Sequence, residues 1–218
     1  VKVTVSMITM NEEGAVAKVV ADIRRVVPDA EILLVDSSRD RTPDIAASLG
    51  CRVIRQFPPQ GYGPAMNRAV REASGDVVVT LDCDDTYPVE AIPRLVDLIR
   101  EGNDLVNTTR VERRPKAMPF ANFLANRAFA LVARIVHGIR TTDLHSGMRA
   151  YRKTMIDQVQ WSEKGPALPV DMLLIPYRRG FRVAEVAIDY RERIGVTTLH
   201  RLSSTMWTLK RIWRARRS

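Results

Sequence analysis

The first hundred residues switch repeatedly between short apolar runs and longer amphipathic stretches, and this alternation restricts the chain to few folds. Strand-length runs followed by helix-length stretches imply parallel pairing with right-handed crossovers. The expected fold class is therefore α/β, a three-layer sandwich on a mostly parallel central sheet. The spacing predicts strands over residues 3–9, 31–36, 52–56, 76–81 and 104–108. The fourth is too apolar to face water on either side, which suits the middle of a sheet covered on both faces. A first helix is expected to open at Asn11, whose carboxamide can cap it, with Glu12 and Glu13 in the first turn. A second is expected to have Thr42 as its N-cap, Pro43 in the first helical position and Gly50 at its close. A turn at Gly61-Tyr62-Gly63-Pro64 leads into a third that ends near Ser74, and residues 88–100 form a fourth.

The second half differs in kind. Residues 119–138 fit a long helix whose apolar arc carries Phe120, Leu124, Leu131 and Ile135, with Arg127 and Arg134 together along one edge. Core burial is the ordinary use of such an arc. Strands are expected at 146–152 and 181–188, with a helix over 169–179 between them that Gly180 ends. Residues 202–217 place Leu202, Met206, Leu209 and Trp213 on one narrow stripe, with Lys210, Arg211, Arg214 and Arg217 elsewhere around the helix.

Charge follows the same division. Lys and Arg outnumber Asp and Glu 34 to 25, a formal +9, and no acid follows Glu192. The surplus points to a partner carrying negative charge: nucleic acid, anionic lipid or a phosphorylated substrate. Cys51 and Cys83 are too few for a disulfide scaffold or a cysteine zinc site, and they suit a reducing cytoplasm. No apolar run reaches the roughly 18–20 residues that cross a bilayer, and the chain opens on a strand-like run rather than a leader. A chain not integral to a membrane is expected.

The chemistry concentrates at strand ends. Leu81-Asp82-Cys83-Asp84-Asp85 closes the most apolar strand, at the place where ligands bind in open α/β sheets. Alternating carboxylates there can hold Mg²⁺ or Mn²⁺, which in turn grips a diphosphate. Two other strand ends reach the same rim: Ile8-Thr9-Met10-Asn11-Glu12, and Val35-Asp36-Ser37-Ser38. Asp36 ends an apolar run, where a carboxylate needs a partner, and an Asp so placed can accept from the N–H edge of a uracil or guanine. Gly61 and Gly63 mark a turn where backbone could approach a ligand. The dinucleotide fingerprint and the GxxxxGK[ST] loop are both absent, which argues against a dehydrogenase or an NTPase.

The order MITMNEE, LLVDSS, GYGPAMNRA and LDCDD resembles family 2 glycosyltransferases of the GT-A fold, and DLHSGMRAYRK resembles their dolichyl- or polyprenyl-phosphate mannose synthase branch. The resemblance implies one domain, with residues 1–110 as the nucleotide-sugar half, 111–200 as the acceptor side and 201–218 as a basic amphipathic helix. It implies that Ile8, Thr9, Met10, Glu12, Asp36, Ser38, Gly61, Gly63, Asp82 and Cys83 line the nucleotide, and that Asp82 and Asp84 hold the metal. It places Arg110, Ser146 and Arg149 near the acceptor phosphate, with Asp84, Asp85 and Arg149 in the catalytic centre. Ile8 and Met10 stand where the family usually has Pro and Tyr, and Thr86 where the synthases often have Gln. Thr198 stands where a lysine is expected at the diphosphate, which leaves Arg193, Thr198 and Arg201 as candidates there.

The expected activity is metal-dependent, inverting transfer of a hexose from a nucleoside diphosphate sugar, GDP-mannose or a UDP-hexose, to a polyprenyl phosphate. A phosphate acceptor is already an anion and needs positioning, not deprotonation. A small soluble hydroxyl acceptor would need a general base, for which Asp85, Asp143 and Asp171 are the candidates. His145 reads as a local structural residue, and Tyr62 and Trp161 as packing groups. The basic, amphipathic helices suit peripheral attachment to an anionic membrane surface on the cytoplasmic side. Nucleic acid is not expected as a partner, because it leaves the acidic strand ends unexplained. No oligomeric state is implied.

Overall fold

The structure is a computed structural model that describes residues 1–112, 115, 116, 118–165, 167–192, 194 and 201–217, of which 201–204 and 217 as backbone only. Among the described residues, seven strands form one sheet: β1 (Val3–Thr9), β2 (Glu31–Asp36), β3 (Arg52–Arg55), β4 (Val77–Thr80), β5 (Leu105–Thr109), β6 (Arg149–Arg152) and β7 (Val183–Ala187). Their spatial order is β3-β2-β1-β4-β6-β5-β7. Every neighbour pairs in parallel except β6, which runs antiparallel to β4 and β5, with Thr80 and Asn107 both opposite Arg149. The expected strand at 146–152 is thus shorter and reversed. The reversal puts the N-terminal end of β6 at the same sheet edge as the C-terminal ends of the other strands.

Helices cover both faces. The first face packs α1 (Val16–Val26), α2 (Thr42–Ser48) and α4 (Ile92–Arg100) through residues such as Val19, Ile23, Leu95 and Ile99. The second packs α3 (Tyr62–Arg71), α5 (Phe120–His137), α6 (Lys153–Gln158), α7 (Leu168–Arg178) and α8 (Arg201–Arg214) through Met66, Ala133, Leu173 and Ile212. Each fully buried Val, Leu, Ile or Met side chain among them stabilises the fold by about 1.5–3 kcal/mol. Among the described residues no helix is long and apolar enough to cross a membrane.

Four local expectations are corrected. Helix α1 begins at Val16 rather than Asn11 and carries no acid in its first turn. Asn11 holds a left-handed φ of 63° and accepts the Arg39 N–H, so its amide ties two loops together instead of capping a helix. Thr42 is the first residue of α2, one position later than an N-cap. The third correction concerns α5: Phe120, Leu124, Leu131 and Ile135 are all exposed, while Ala130, Ala133 and His137 face inward. The fourth is the same inversion in α8, where Met206, Leu209 and Trp213 point outward and Thr208, Arg211 and Ile212 are buried. Its inner face is fixed by polar contacts: His137 Nε2 lies 2.7 Å from the Ile212 carbonyl and His145 Nε2 2.9 Å from Thr208 Oγ1.

Candidate active site

The β1 and β2 ends are stitched into one rim. Thr9 Oγ1 donates to Asp36 Oδ1 at 2.7 Å, Ser38 donates its hydroxyl at 2.6 Å and its N–H at 3.1 Å, and Arg55 completes an ion pair with the same carboxylate. Asp36 is fully buried, and these four donors match the roughly four lone-pair sites of a carboxylate. Here it organises the loop, which answers the sequence-based demand for a partner from within the protein. The backbone N–H groups of Asn11 and Glu12 donate in turn to Ser38 Oγ and Thr42 Oγ1. Ile8 is half-buried against α3, and Met10 is exposed at the rim. Gly61 caps α3 with φ 100°, but Gly63 lies inside the helix. A Cβ on Gly63 would collide with the Glu163 carbonyl oxygen, so its bareness admits a neighbouring loop where the sequence suggested a ligand.

The aspartates after β4 have three different surroundings. Asp82 is half-buried and faces Gly147, where an added Cβ would lie 3.0 and 3.2 Å from its two carboxylate oxygens and 3.2 Å from the Tyr87 hydroxyl. Cys83 is not at the rim: its side chain sits in the core, where burial pushes its thiol well above the usual range. Asp84 is buried, with Oδ1 accepting both the N–H (3.1 Å) and the hydroxyl (2.6 Å) of Thr86. Asp85, at a left-handed φ of 63°, pairs with Lys18 of α1 at 2.8 Å. Among the described residues no three His, Cys, Asp or Glu side chains converge as a ready-made metal cluster. Two carboxylates with the remaining positions left to phosphate oxygens and water nevertheless fit Mg²⁺ or Mn²⁺, and the space beside Asp82 that a Cβ would fill is consistent with that.

The next cluster surrounds Arg110, just past β5. Its guanidinium forks onto Asp143, with Nε 2.7 Å from Oδ2 and Nη2 3.1 Å from Oδ1, and lies 5.2 Å from the centre of the Tyr190 ring. Arg110 Nη1 and the Gly147 N–H both donate to the Tyr87 hydroxyl, which links this cluster to Asp82. Burial alone would raise the Asp143 carboxyl, but Arg110 and the His145 N–H hold it below the usual carboxylate range. Arg110, Lys116, Tyr190 and Arg191 line a cavity of ≈ 700 Å³ at the ends of β5 and β7. The strand after it is anchored by Glu185, whose carboxylate takes the Asn107 amide and the Thr142 N–H.

Several expected site residues stand elsewhere. Arg149 is buried and donates to Asn107 Oδ1 and to the carbonyls of Leu144 and Pro169, so its guanidinium ties β6 to β5 and α7. Ser146 is buried against Thr108 Oγ1 at 2.6 Å. His145 is structural as expected: loss of water around the ring pushes its pKa down to about 4, so it is neutral. Trp161 packs, and its indole N–H donates to Asn67. Arg211, placed by the sequence among the basic residues off the apolar stripe, is buried in an ion pair with Asp171. Arg193 and Thr198 lie outside the described residues, as does the side chain of Arg201. Tyr87, Tyr190 and Lys18 were missed. An aromatic two residues after the last of the aspartates was the available signal for Tyr87, whereas Tyr190 and Lys18 reach the site only through tertiary contacts.

Carboxylates at the end of β4, a rim at β1 and β2 and a cationic cavity beside them place the candidate site at the carboxyl edge of an open α/β sheet, where such folds bind their ligands. The architecture agrees with glucosyl-3-phosphoglycerate synthase from Mycobacterium tuberculosis, solved with Mn²⁺, uridine diphosphate and glucosyl-3-phosphoglycerate: TM-score 0.79 at 22% identity over 98% of this chain and 79% of that one. The fold is thus that of GT-A glycosyltransferases. The profile of "Glycosyl transferase family 2" matches residues 4–160, and the chain belongs to that family. It is 46% identical to a dolichyl-phosphate hexose transferase of Haloferax volcanii over 89% of this chain and 85% of the relative. It is 30% identical to an undecaprenyl-phosphate mannosyltransferase of Micrococcus luteus over 85% and 82%. The protein is a glycosyltransferase.

Proposed function

We propose that the enzyme transfers a hexose, with inversion, from a nucleoside diphosphate sugar to a polyprenyl phosphate. One relationship carries the choice of acceptor. Each carboxylate that could serve as base toward a hydroxyl is engaged by a cation: Asp85 by Lys18, Asp143 by Arg110 and Asp171 by Arg211. A phosphate monoester needs no base, so the arrangement suits it and not an alcohol. The two relatives, a dolichyl-phosphate hexose transferase and an undecaprenyl-phosphate mannosyltransferase, support the same reading.

In this reading Asp82 and Asp84 would hold a divalent cation, Mg²⁺ or Mn²⁺, which when bound neutralises charge on the departing diphosphate. Thr86 fixes the rotamer of Asp84, and Lys18 draws Asp85 aside so that it does not compete for the donor. Arg110, held by Asp143 and Tyr190, lines the cavity it shares with Lys116 and Arg191, where the acceptor phosphate would sit. The rim at Thr9, Glu12 and Ser38 orients the nucleoside, with Asp36 acting through Ser38. Arg149 and Ser146 are positioning groups behind the cavity.

The test is incubation with Mg²⁺ or Mn²⁺, labelled UDP- and GDP-hexoses and a polyprenyl phosphate. A lipid-linked sugar is expected. Absence of product with every donor, alongside transfer to a soluble sugar or alcohol, would overturn the acceptor reading.

A further inference from the structure

The hydroxyl of Tyr87 stands between the two halves of the site. Tyr87 is buried in the core of the first face, and its ring meets that of Tyr190 edge-on, with the centres 5.6 Å apart. Its oxygen accepts the Gly147 N–H at 2.7 Å and Arg110 Nη1 at 3.3 Å. A hydroxyl carries one donor and at most two acceptor positions, so with both lone pairs engaged Tyr87 has only its O–H bond to give.

That bond borders the donor side. The bare Gly147 leaves a space that Tyr87 shares with Asp82: a Cβ there would lie 3.2 Å from the hydroxyl and 3.0 and 3.2 Å from the two carboxylate oxygens. A diphosphate gripped beside Asp82 would bring anionic oxygens to the same space. On its other flank the hydroxyl holds Arg110, which forks onto Asp143 and lines the acceptor cavity with Lys116 and Arg191. Tyr87 is thus a single group in contact with the acceptor arginine and next to the donor aspartate.

The two hydrogen bonds to its oxygen differ in length. The Gly147 contact is short, whereas 3.3 Å for Arg110 lies beyond the usual range of about 2.7–3.2 Å and has room to tighten. An anionic oxygen that accepts the Tyr87 O–H polarises the phenol and strengthens its lone pairs, because linked hydrogen bonds reinforce one another. The stronger acceptor draws in Arg110 Nη1 and steadies the guanidinium. A phosphate arriving at Arg110 then has less ordering left to do.

We propose that Tyr87 is a positioning residue that couples the two substrates, so that affinity for a phosphate at Arg110 rises when a diphosphate oxygen beside Asp82 accepts its hydrogen bond. Linkage makes the effect reciprocal. The inference rests on the polyprenyl phosphate reading and states how the two halves of that site communicate.

Calorimetric titration of a short, water-soluble polyprenyl phosphate, with and without saturating Mn²⁺ and UDP or GDP, tests it. In the wild type the dissociation constant for the phosphate is expected to fall about fivefold or more when Mn²⁺-nucleotide is present, and that for Mn²⁺-nucleotide by the same factor when the phosphate is present. Tyr87→Phe keeps the ring and its contact with Tyr190, and should bring the factor close to one. A hydroxyl with a merely structural role would lower each affinity measured alone and leave the factor at its wild-type value. Arg110→Lys keeps the charge but cannot fork onto Asp143 and reach Tyr87 together, so it should lose the factor as well; it carries the test if urea melts show that Tyr87→Phe does not fold. A wild-type factor near one, or a Tyr87→Phe protein with the wild-type factor, would overturn the inference and leave the acceptor reading in place. A wild type that binds Mn²⁺-nucleotide but no polyprenyl phosphate under either condition would overturn the acceptor reading and the coupling with it.

Discussion

Arg110 and Asp143, 33 residues apart in the chain, meet through two parallel N–H···O contacts of 2.7 and 3.1 Å, with side-chain exposures of 11% and 0%. Removing one partner of such a pair leaves a buried charge without compensation and costs about 3–5 kcal/mol. Asp143→Asn is therefore expected to lower the urea midpoint strongly at neutral pH. The pH dependence has a definite sign. The folded carboxyl is held below its unfolded value, so its contribution is complete above the unfolded pKa of about 3.9 and is lost as pH falls through the folded one. The stability gap between wild type and Asp143→Asn should be widest near pH 7 and shrink below about pH 4, as urea titrations at several pH values would report.

Asp82 and Asp84 should separate by their surroundings. Asp82 is half-buried at the rim, so Asp82→Asn is expected to leave the apo stability within about 0.5 kcal/mol of wild type while removing the Mn²⁺-dependent part of the thermal shift given by UDP or GDP. Asp84→Ala should remove the same part and also destabilise the apo protein. Its Oδ1 takes two donors from Thr86, each bond worth about 0.5–1.5 kcal/mol. A full Mn²⁺-dependent shift in Asp82→Asn would exclude Asp82 from metal binding.

Much of the fold was legible because its cues are local. The apolar runs at 3–9, 31–36 and 76–81 placed β1, β2 and β4 to within two residues, and Gly50 and Gly138 do hold the left-handed conformations that stop α2 and α5. Local pattern failed where tertiary contact decides. An apolar arc states that a helix has two faces, but which face is buried depends on what it meets; α8 meets a surface that supplies His137 of α5, His145 and Asp171 as partners for Ile212 O, Thr208 and Arg211. The site shows the same division. The aspartates at the strand end were visible as a motif, whereas Arg110 with Asp143 and Lys18 with Asp85 are pairings across 33 and 67 residues that no spacing announces. Asp36 lies between the two cases: its need for a partner was readable, but that Arg55 and Ser38 would satisfy it was not.

Gly147 offers a steric test of the metal site. A Cβ there would lie 3.0 and 3.2 Å from the Asp82 oxygens and 3.2 Å from the Tyr87 hydroxyl, tighter than ordinary contact on the side where a cation would approach. Gly147→Ala is expected to fold, with a urea midpoint near wild type, and to weaken Mn²⁺-nucleotide binding by tenfold or more in calorimetry. Unchanged binding would place the cation on another side of Asp82.

Helix α8 is held by Arg211, which pairs with Asp171 and donates to the carbonyls of Ser162 at 3.2 Å and Lys164 at 3.0 Å. Both members of the pair are nearly inaccessible, and burial pushes the Asp171 carboxyl up against the pull of Arg211. Asp171→Asn would leave the guanidinium with backbone acceptors alone and should cost about 3–5 kcal/mol, whereas Asp171→Leu/Arg211→Met, which removes both charges, should recover much of it. A second substitution attacks the same joint without touching charge. Gly165 has φ 80°, and a Cβ would come within 2.6 Å of the Trp207 ring, so Gly165→Ala must displace either that loop or the helix. Hydrogen exchange should then show faster exchange in α8 for both Asp171→Asn and Gly165→Ala while β1 and β2, on the far side of the sheet's centre, keep their protection. If the two variants instead lose protection across the whole sheet, α8 is part of the cooperative core. If neither changes α8, the Arg211 pairing does not hold it.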